Sequence, residues 1–518
     1  MALIFNRRSL LLGGGALAVA SSLGLRPSPL MAQAAPRKGG TFRVAIADFD
    51  IADTLDPQLN ETRFTMHVQY QLRNALIEVG PGGTLIPELA TEWGANDDLT
   101  EWTFKLRQGV EFHNGKTLDA NDVVFSINLH RGPDTVSETR ALMLQITDVQ
   151  AVAPDEVKVT LEAPNASFPA LMAMVTMVIV PADDRDFDKG IGTGGYTLES
   201  FEPGVSARVV RFPNYWKEGR AHFDAIETRC IADVNARTTA LQTGQIDAMG
   251  GVDTATAMLL TAMPSIKLLQ TKGKQHYAFS MDTRDPLFVD PNVRLAMKLA
   301  MDRQEMLDKV LSGFGSIAND QPISEAYEYH NPDIPQHSYD PDQARALLEK
   351  AGVSGLRVPL HVAEAPFTGA TDMAQLYAEQ ASRAGITIDV RREPDDGYWS
   401  NIWGKRPMFA TKWSGRVNED LMLSLAYSRE SIGSWNETGW DNDEFNAKLV
   451  AARGEKDEAK RKQLYWECQS LISTDGGMVA PLWADFLDAV SDKVAHGELA
   501  NDWELDGARA GERWWFTE

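Results

Sequence analysis

Nine histidines, two cysteines and 73 acidic residues give this chain raw material for catalysis, but the spacings that chemistry needs are missing. There is no G-x-S-x-G nucleophile elbow, no H-E-x-x-H zinc pair, no phosphate loop ending in G-K-[ST] and no C-x-x-C. The histidines are scattered, and the nearest pair, His330 and His337, falls in a proline-rich loop. Adjacent acids such as Asp97-Asp98 and Asp395-Asp396 stand in turn-like contexts and read as solvated loop residues. A glycosidase pair of carboxylates need not be adjacent in a chain, so that reading stays open with no pattern in its favour. Cys230 and Cys468 lie far apart in no metal-ligand spacing; both read as buried thiols, with a disulfide between them left open. Gly190-Ile191-Gly192-Thr193-Gly194-Gly195 spells G-x-G-x-x-G, but a dinucleotide site needs a strand before it and a helix after it. The alternating stretch Tyr196 to Phe201 predicts a strand there, and the nucleotide reading fails. What remains is binding chemistry. Trp399, Trp403, Trp413, Trp435 and Trp440 cluster in one stretch, and tryptophan can stack on a sugar ring or an amide, or cover a cation. No cofactor and no metal are implied.

The elements that must position such residues read as α/β material. Trp102, Phe104 and Leu106 alternate with Thr103 and Lys105, the period of a strand with one buried face. Asn114-Gly115 supplies a turn, and Asp119 with Asp122 predicts a capped helix start. Residues 149–161 read as a hairpin turning at Ala153 to Glu156, residues 168–180 as a buried helix or strand pair, and His67 to Leu76 as a helix. Phe223 to Met249 reads as strand, helix and short strand, with Gly244 stopping the helix. Asp290-Pro291 and Asp340-Pro341 each start a helix with an N-cap and an N1 proline; Met373 to Ala384 is a third, closed by Gly385 before the strand Ile386 to Val390. That recurring order argues for an α/β lobe.

At 518 residues the chain exceeds one core, and its formal charge is −23. An acidic surface of that size argues against nucleic acid, whose affinity comes mostly from cations meeting phosphates. At the N-terminus, Arg7-Arg8 precede an apolar run from Leu10 to Leu25, and Ala32-Gln33-Ala34 follows. These are the three parts of a cleaved signal peptide over residues 1–34, and the run is short for a membrane span. The paired arginines in NRRSLLL are similar to a twin-arginine export signal; an ordinary secretory signal is the alternative. No cysteine stands near the cleavage site, so no lipid anchor is expected there. The mature chain then begins near Ala35 in the periplasm of a Gram-negative cell.

The stretch WTFKLRQGVEFHNGKTLDANDVVFS, Trp102 to Ser126, closely resembles the marker segment of the family 5 extracellular solute-binding proteins, the peptide-, opine-, glutathione- and nickel-binding components of ABC importers. GGTFRVAIADFDIADTLDP from Gly39, GTGGYTLESFEPGVSARVVRFPNYW from Gly192, DPNVRLAMKLAMDR from Asp290 and YDPDQARALLEKAG from Tyr339 extend the resemblance over essentially the whole mature chain. It implies an α/β, two-lobe "Venus flytrap" periplasmic binding protein with a discontinuous large lobe carrying an extra subdomain. The implied limits are 35–270 for the large lobe, with the extra subdomain about 85–188, 271–480 for the second lobe, and a return to the large lobe over 481–518. It also implies no catalysis, a small-molecule or peptide-like ligand, a membrane-embedded ABC permease as partner, and a monomer.

Within that frame, Trp413-Ser414-Gly415-Arg416 resembles the family's W-x-x-D pocket segment, whose aspartate pairs with a peptide amine. Arg416 stands in the aspartate's place, and a guanidinium fork suits a carboxylate or phosphate. Arg416 is therefore expected to anchor an anionic ligand group, the alternative being a structural salt bridge to Glu419 or Asp420. Trp413, Ser414, Gly415, Asp420, Trp435 and Trp399 are the companions expected from that lobe. Phe49, Asp50 and Tyr277 are those expected from the large lobe and the crossover strand. Trp440 reads as core. The ligand class this favours is peptide-like or opine-like and carboxylate-bearing; an oligosaccharide is the rival, and a secreted hydrolase the remote one.

Overall fold

Two long antiparallel strands, Ile266–Met281 and Met478–Ser491, form the spine of the molecule, running side by side from Ile266↔Ser491 to Ser280↔Met478. The computed structural model describes residues 36–517 apart from Glu61; the expected signal peptide lies outside the described residues. The spine belongs to an 11-stranded mixed sheet. On one side of it come Ala248–Met249, the parallel pair Thr41–Ile46 and Ala225–Cys230, and then the antiparallel strands Ser206–Arg211 and Tyr196–Glu202. On the other side come Met408–Trp413, Arg357–Val362 and Thr387–Arg392. Parallel neighbours joined through helices are α/β construction. The spine's register breaks between Thr271 and Gln275. A Cβ at Gly273 would stand 2.4 Å from the Ala484 carbonyl oxygen, so only glycine fits this bulge.

The marker stretch builds a separate four-stranded sheet, Ala90–Ala95, Glu101–Leu106, Glu156–Leu161 and Ile146–Ala153. Trp102, Phe104 and Leu106 are buried as their alternation predicts, and Asp119 and Asp122 close a capping box on the helix Ala120–Leu129. The helices Pro291–Leu299 and Pro341–Lys350 start behind capping Asp290 and Asp340, and Ala370–Ser382 ends before Gly385. Two expectations shift. The first helix is Arg63–Leu72, four residues earlier than predicted, because the Thr62 hydroxyl caps it. Residues 168–180 hold only the short helix Phe168–Leu171 and a 3₁₀ turn, Val175–Met177, buried as irregular chain. Gly192 and Gly194 bind no nucleotide-type loop: a Cβ at either would meet the backbone of Gln71 or Leu72 within 2.4 Å, and the strand Tyr196–Glu202 follows them. Cys230 and Cys468 are free thiols.

Candidate ligand-binding site

The strand Met408–Trp413 delivers Lys412 and Trp413 to opposite faces of the sheet, and the chain then loops through Ser414 to Asn418 into the helix Glu419–Tyr427. This loop meets residues distant in sequence. Arg63, first residue of its helix, donates from Nη2 to the Ser414 hydroxyl at 2.8 Å across 351 positions of chain, and its guanidinium lies 3.9 Å from the centroid of a Trp503 ring. A Cβ on Gly415 would stand 2.8 Å from the Asp502 carbonyl oxygen and 2.7 Å from the Lys274 Cβ, so this contact closes only around glycine.

Arg416 folds back over the ring of Trp413 at 5.3 Å. Its Nη1 donates to the carbonyls of Ser414 and Gly415, and its backbone N–H to the Tyr327 hydroxyl at 3.0 Å. Burial pushes its pKa down to about 10, with Arg63 adding to the push and the Tyr327 oxygen opposing it. Among the described residues no carboxylate pairs with it. The anticipated structural partners are engaged otherwise or idle. Asp420 accepts from Arg453 Nε at 2.9 Å and from the Tyr465 hydroxyl at 3.2 Å. Glu419 is 3% exposed and leaves Oε2 without a partner. Asp420 is thus reassigned from ligand contact to an internal ion pair.

Lys412, register partner of Tyr277, makes no side-chain hydrogen bond or ion pair among the described residues. Burial lowers its pKa, Arg63 lowers it further, and Glu504 and Asp48 work the other way. Burial likewise lowers Arg63, against Glu504, Asp48 and Asp502. Arg63, Lys412 and Arg416 are therefore three half-buried cations with Arg63 acting on the other two, and none has a carboxylate within salt-bridge reach among the described residues. Lys274, thrown out by the bulge in the spine, donates to the Val417 carbonyl at 2.8 Å and sits 4.8 Å from the Tyr327 ring.

The tryptophans form a ladder: Trp413 and Trp435 at 5.9 Å, Trp435 and Trp403 at 5.9 Å, Trp403 and Trp399 at 6.4 Å. The buried Glu437 carboxylate fixes it, accepting from Trp403 Nε1, from Thr411 Oγ1 at 3.1 Å and from Ser280 Oγ at 2.6 Å. Trp399 is the outer rung, 46% exposed. Tyr277 stacks on Phe367 with centroids 4.1 Å apart. Trp440 is core, its indole N–H on Asp475 at 2.8 Å.

Of the predicted residues, the fold gathers Trp413, Ser414, Gly415 and Arg416 with Trp435 behind them. Phe49 packs on the core beneath the first strand. Asp50 is corrected to a local turn, its carboxylate accepting the Ala52 N–H at 2.7 Å; two positions earlier, Asp48 accepts the Arg63 N–H at 3.2 Å and acts on both Arg63 and Lys412. Sequence reasoning missed Arg63, Lys274, Tyr327 and residues 502–504, and considered Glu419 only as a counter-ion for Arg416. It also missed Lys412, whose charge inside the otherwise buried MFATKW strand was the available signal.

Beside Asp502–Glu504 the chain makes a left-handed turn: Leu505, Asp506 and Ala508 have φ of 53°, 62° and 61°. Each such residue costs roughly 1–2 kcal/mol. Asp506 holds the turn by accepting from Ala500 N–H at 2.7 Å and Trp514 Nε1 at 3.1 Å, while Leu505 N–H donates to Asp488 at 2.7 Å. Glu78, Glu88 and Glu512 bring carboxylate oxygens within 4.8 Å of one another, as a metal site would. Lys217 fills that position instead, its Nζ 2.5, 2.7 and 2.9 Å from the three. Burial alone would raise Glu512; Lys217 and Arg509 outweigh it and hold the group down at about 2. Arg509 adds a bidentate pair to Glu88, and Arg513 donates a single bond from Nη2 to Glu78 at 2.7 Å. The residues fit an ammonium, not a cation from solution.

The sequence pattern described as "Bacterial extracellular solute-binding proteins, family 5 Middle" matches residues 84–434. Heme-binding protein A of Haemophilus influenzae is 26% identical over 445 residues, 78% of this chain and 80% of that protein. Glutathione-binding protein GsiB of Escherichia coli K12 is 28% identical over 438 residues, 81% and 84% respectively. Among solved structures, the periplasmic binding protein DppA from Helicobacter pylori in complex with the peptide STSA superimposes with a TM-score of 0.81 at 22% identity, covering 93% of this chain and 99% of that one. AgaA of A. tumefaciens R10 in complex with agropinic acid gives 0.80 at 23% identity, covering 92% and 99%. These likenesses establish the two-lobe α/β fold of periplasmic binding proteins.

Proposed function

The chain belongs to the family 5 bacterial extracellular solute-binding proteins, and from that membership we propose that it is the periplasmic receptor of an ABC importer for a peptide-like or opine-like solute bearing a carboxylate. One observation carries the ligand class. Arg63 on one side and Lys412 and Arg416 on the other converge where Ser414 and Gly415 touch Arg63 and Asp502, and among the described residues no carboxylate forms an ion pair with any of the three, although Asp48 and Glu504 act on Arg63 and Lys412 from farther off. Desolvated like charges repel, and an anionic ligand group relieves that repulsion only when both sides are brought together. Binding then favours the closed state by its differential contacts. In this reading the lobes span 35–270 with 481–518, and 271–480; the spine crosses between them, and the bulge at 272–274 is the hinge. The chain catalyses nothing, acts as a monomer after export with a cleaved signal peptide, and hands its solute to a membrane-embedded permease. The tryptophans do not favour a sugar, because the Arg416 guanidinium covers Trp413 and Glu437 ties Trp403 inward.

Mass spectrometry of solute carried through purification tests the class, with Arg416→Ala examined by calorimetry. A carboxylate-bearing solute whose affinity falls on substitution is expected. A neutral or cationic solute, or unchanged affinity in Arg416→Ala, overturns the anionic reading, and turnover of the solute overturns the receptor.

A further inference from the structure

Trp503 meets Arg63 where the two sides of the site touch. Its ring covers the guanidinium at 3.9 Å, and both side chains are half-buried. A guanidinium stacked by its face keeps its N–H donors in the plane, free for edge-on bonds. Arg63 uses few of them: Nη2 donates to the Ser414 hydroxyl at 2.8 Å, and Nη1 to the Met66 sulfur at 3.2 Å. Arg509 is the contrast. It stacks on the Tyr70 ring at 3.8 Å in the same way, but its edges are taken by Glu88 and Glu512. Glu504, Asp48 and Asp502 act on Arg63 and favour its charged form, yet none of their carboxylates pairs with its side chain among the described residues.

The chain around Trp503 is built to hold the ring in place. Leu505, Asp506 and Ala508 follow in the left-handed region, where strain persists only if the surroundings over-determine it. The Trp503 carbonyl accepts the Gly507 N–H at 3.1 Å, and the Glu504 carbonyl the Ala508 N–H at 2.9 Å. The ring itself packs on the cluster of Met66, Tyr70, Val175, Val178 and Ala508. Just before it, the Asp502 carbonyl presses on Gly415.

We propose that Trp503 is a positioning residue for closure: it aims the Arg63 guanidinium at Ser414, and that pair is the latch that holds the two lobes together around a solute. The proposal rests on the two-lobe receptor reading and deepens it, but it does not depend on the charge of the solute. Arg63 and Trp503 stand on the large-lobe side of that division and Ser414 on the other. Because the ring already fixes the arm, closing loses little side-chain freedom at Arg63. Without the ring, Arg63 is free to turn onto one of the three carboxylates near it, and the arm is lost.

The test reads closure on the full mature chain, spin-labelled at Val205→Cys and Lys350→Cys, one exposed position on each side. Cys230→Ser removes the half-buried native thiol, and Cys468 is buried. Pulsed electron paramagnetic resonance gives the label distance in protein as purified and in protein stripped of solute by unfolding and refolding. Wild type as purified is expected to be the more closed, and the closed-to-open ratio is the readout. Trp503→Leu is expected to lower that ratio about 3- to 30-fold, the range of a cation–π contact, while Trp503→Phe, which keeps a ring face, preserves most of it. Arg63→Gln should lower the ratio at least as far, and adding Trp503→Leu to it should change nothing further, because the ring acts through the guanidinium. An unchanged ratio in Trp503→Leu, equal losses in Trp503→Phe and Trp503→Leu, or additive losses in the double variant overturns the latch and leaves the receptor standing. One distance in both wild-type preparations overturns the closing receptor on which the latch rests. If Trp503→Leu does not fold, Arg63→Gln and Trp503→Phe decide: a wild-type ratio in the first, or a loss as deep in the second as in the first, overturns the assignment.

Discussion

Glu419 offers a test that needs no ligand. Burial raises its pKa from 4.5 to about 7, against its own backbone N–H and Lys274, with Glu328 and Asp420 reinforcing the rise. Between those two values the folded protein keeps a proton that the unfolded chain has released. Native binding of protons then exceeds unfolded binding, and stability falls as pH rises through this window, levelling off above about 7. At ~1.4 kcal/mol per pH unit, the gap amounts to about 3 kcal/mol. Glu419→Gln keeps the shape and removes the titration. Urea unfolding of solute-free wild type and variant, at half-unit steps from pH 5 to 8.5, should show the variant gaining about 3 kcal/mol on wild type by pH 8. Most of that gain should fall below pH 7.5. Parallel stability curves would refute the reasoning, since they mean that Glu419 ionises in the folded state as it does in the unfolded one.

Lys217→Met leaves Glu78, Glu88 and Glu512 crowded, with Arg509 and Arg513 as their remaining close cations; a loss of about 3 kcal/mol is expected in urea unfolding at pH 7, shrinking as acid protonates the carboxylates. Gly415→Ala drives a methyl against the Asp502 carbonyl, and overpacking of about 1–3 kcal/mol should weaken the carried solute's affinity roughly 5- to 150-fold by calorimetry, with the unfolding midpoint of the solute-free protein little changed. Lys412→Gln should lower affinity for that solute and flatten its dependence on ionic strength, because one fewer charge meets the anion. Glu437→Gln should disturb the tryptophan ladder, read as a shift in near-UV dichroism, by weakening the acceptor shared by Trp403, Thr411 and Ser280.

What was legible in the sequence was local or periodic. Asp290-Pro291 and Asp340-Pro341 announce their helices because a cap and an N1 proline act within one turn. The alternation of Trp102, Phe104 and Leu106 exposes its strand because only one face is buried. Arg63–Leu72 was misplaced because nine of its ten residues are buried, which erases the one-sided pattern that marks a helix start. The irregular chain at 168–180 is apolar like a helix but makes only short turns, and composition does not distinguish the two. At the site, Arg416 stood out by departing from a recognised motif, whereas the Arg63–Ser414 contact joins positions 351 apart. Nothing near Arg63 in the chain encodes that meeting. Glu419 was weighed only as a counter-ion for Arg416, and its idle oxygen is visible only once Asp420 is seen to belong to Arg453.

The ion cluster around Lys217 sets an order of assembly. Glu78 and Glu88 both precede the marker segment, but their guanidinium partners, Arg509 and Arg513, lie 421 and 435 positions further along the chain. Until residues 509–513 are made, Glu78 and Glu88 have only Lys217 and Arg220 as ion-pair partners among the described residues. The contiguous stretch between the two spine strands contains its own helices and parallel strands and waits for nothing so distant. Residues 509–513 therefore work as a lock inserted late, and replacing Arg509 and Arg513 together should loosen the packing around Glu78 and Glu88.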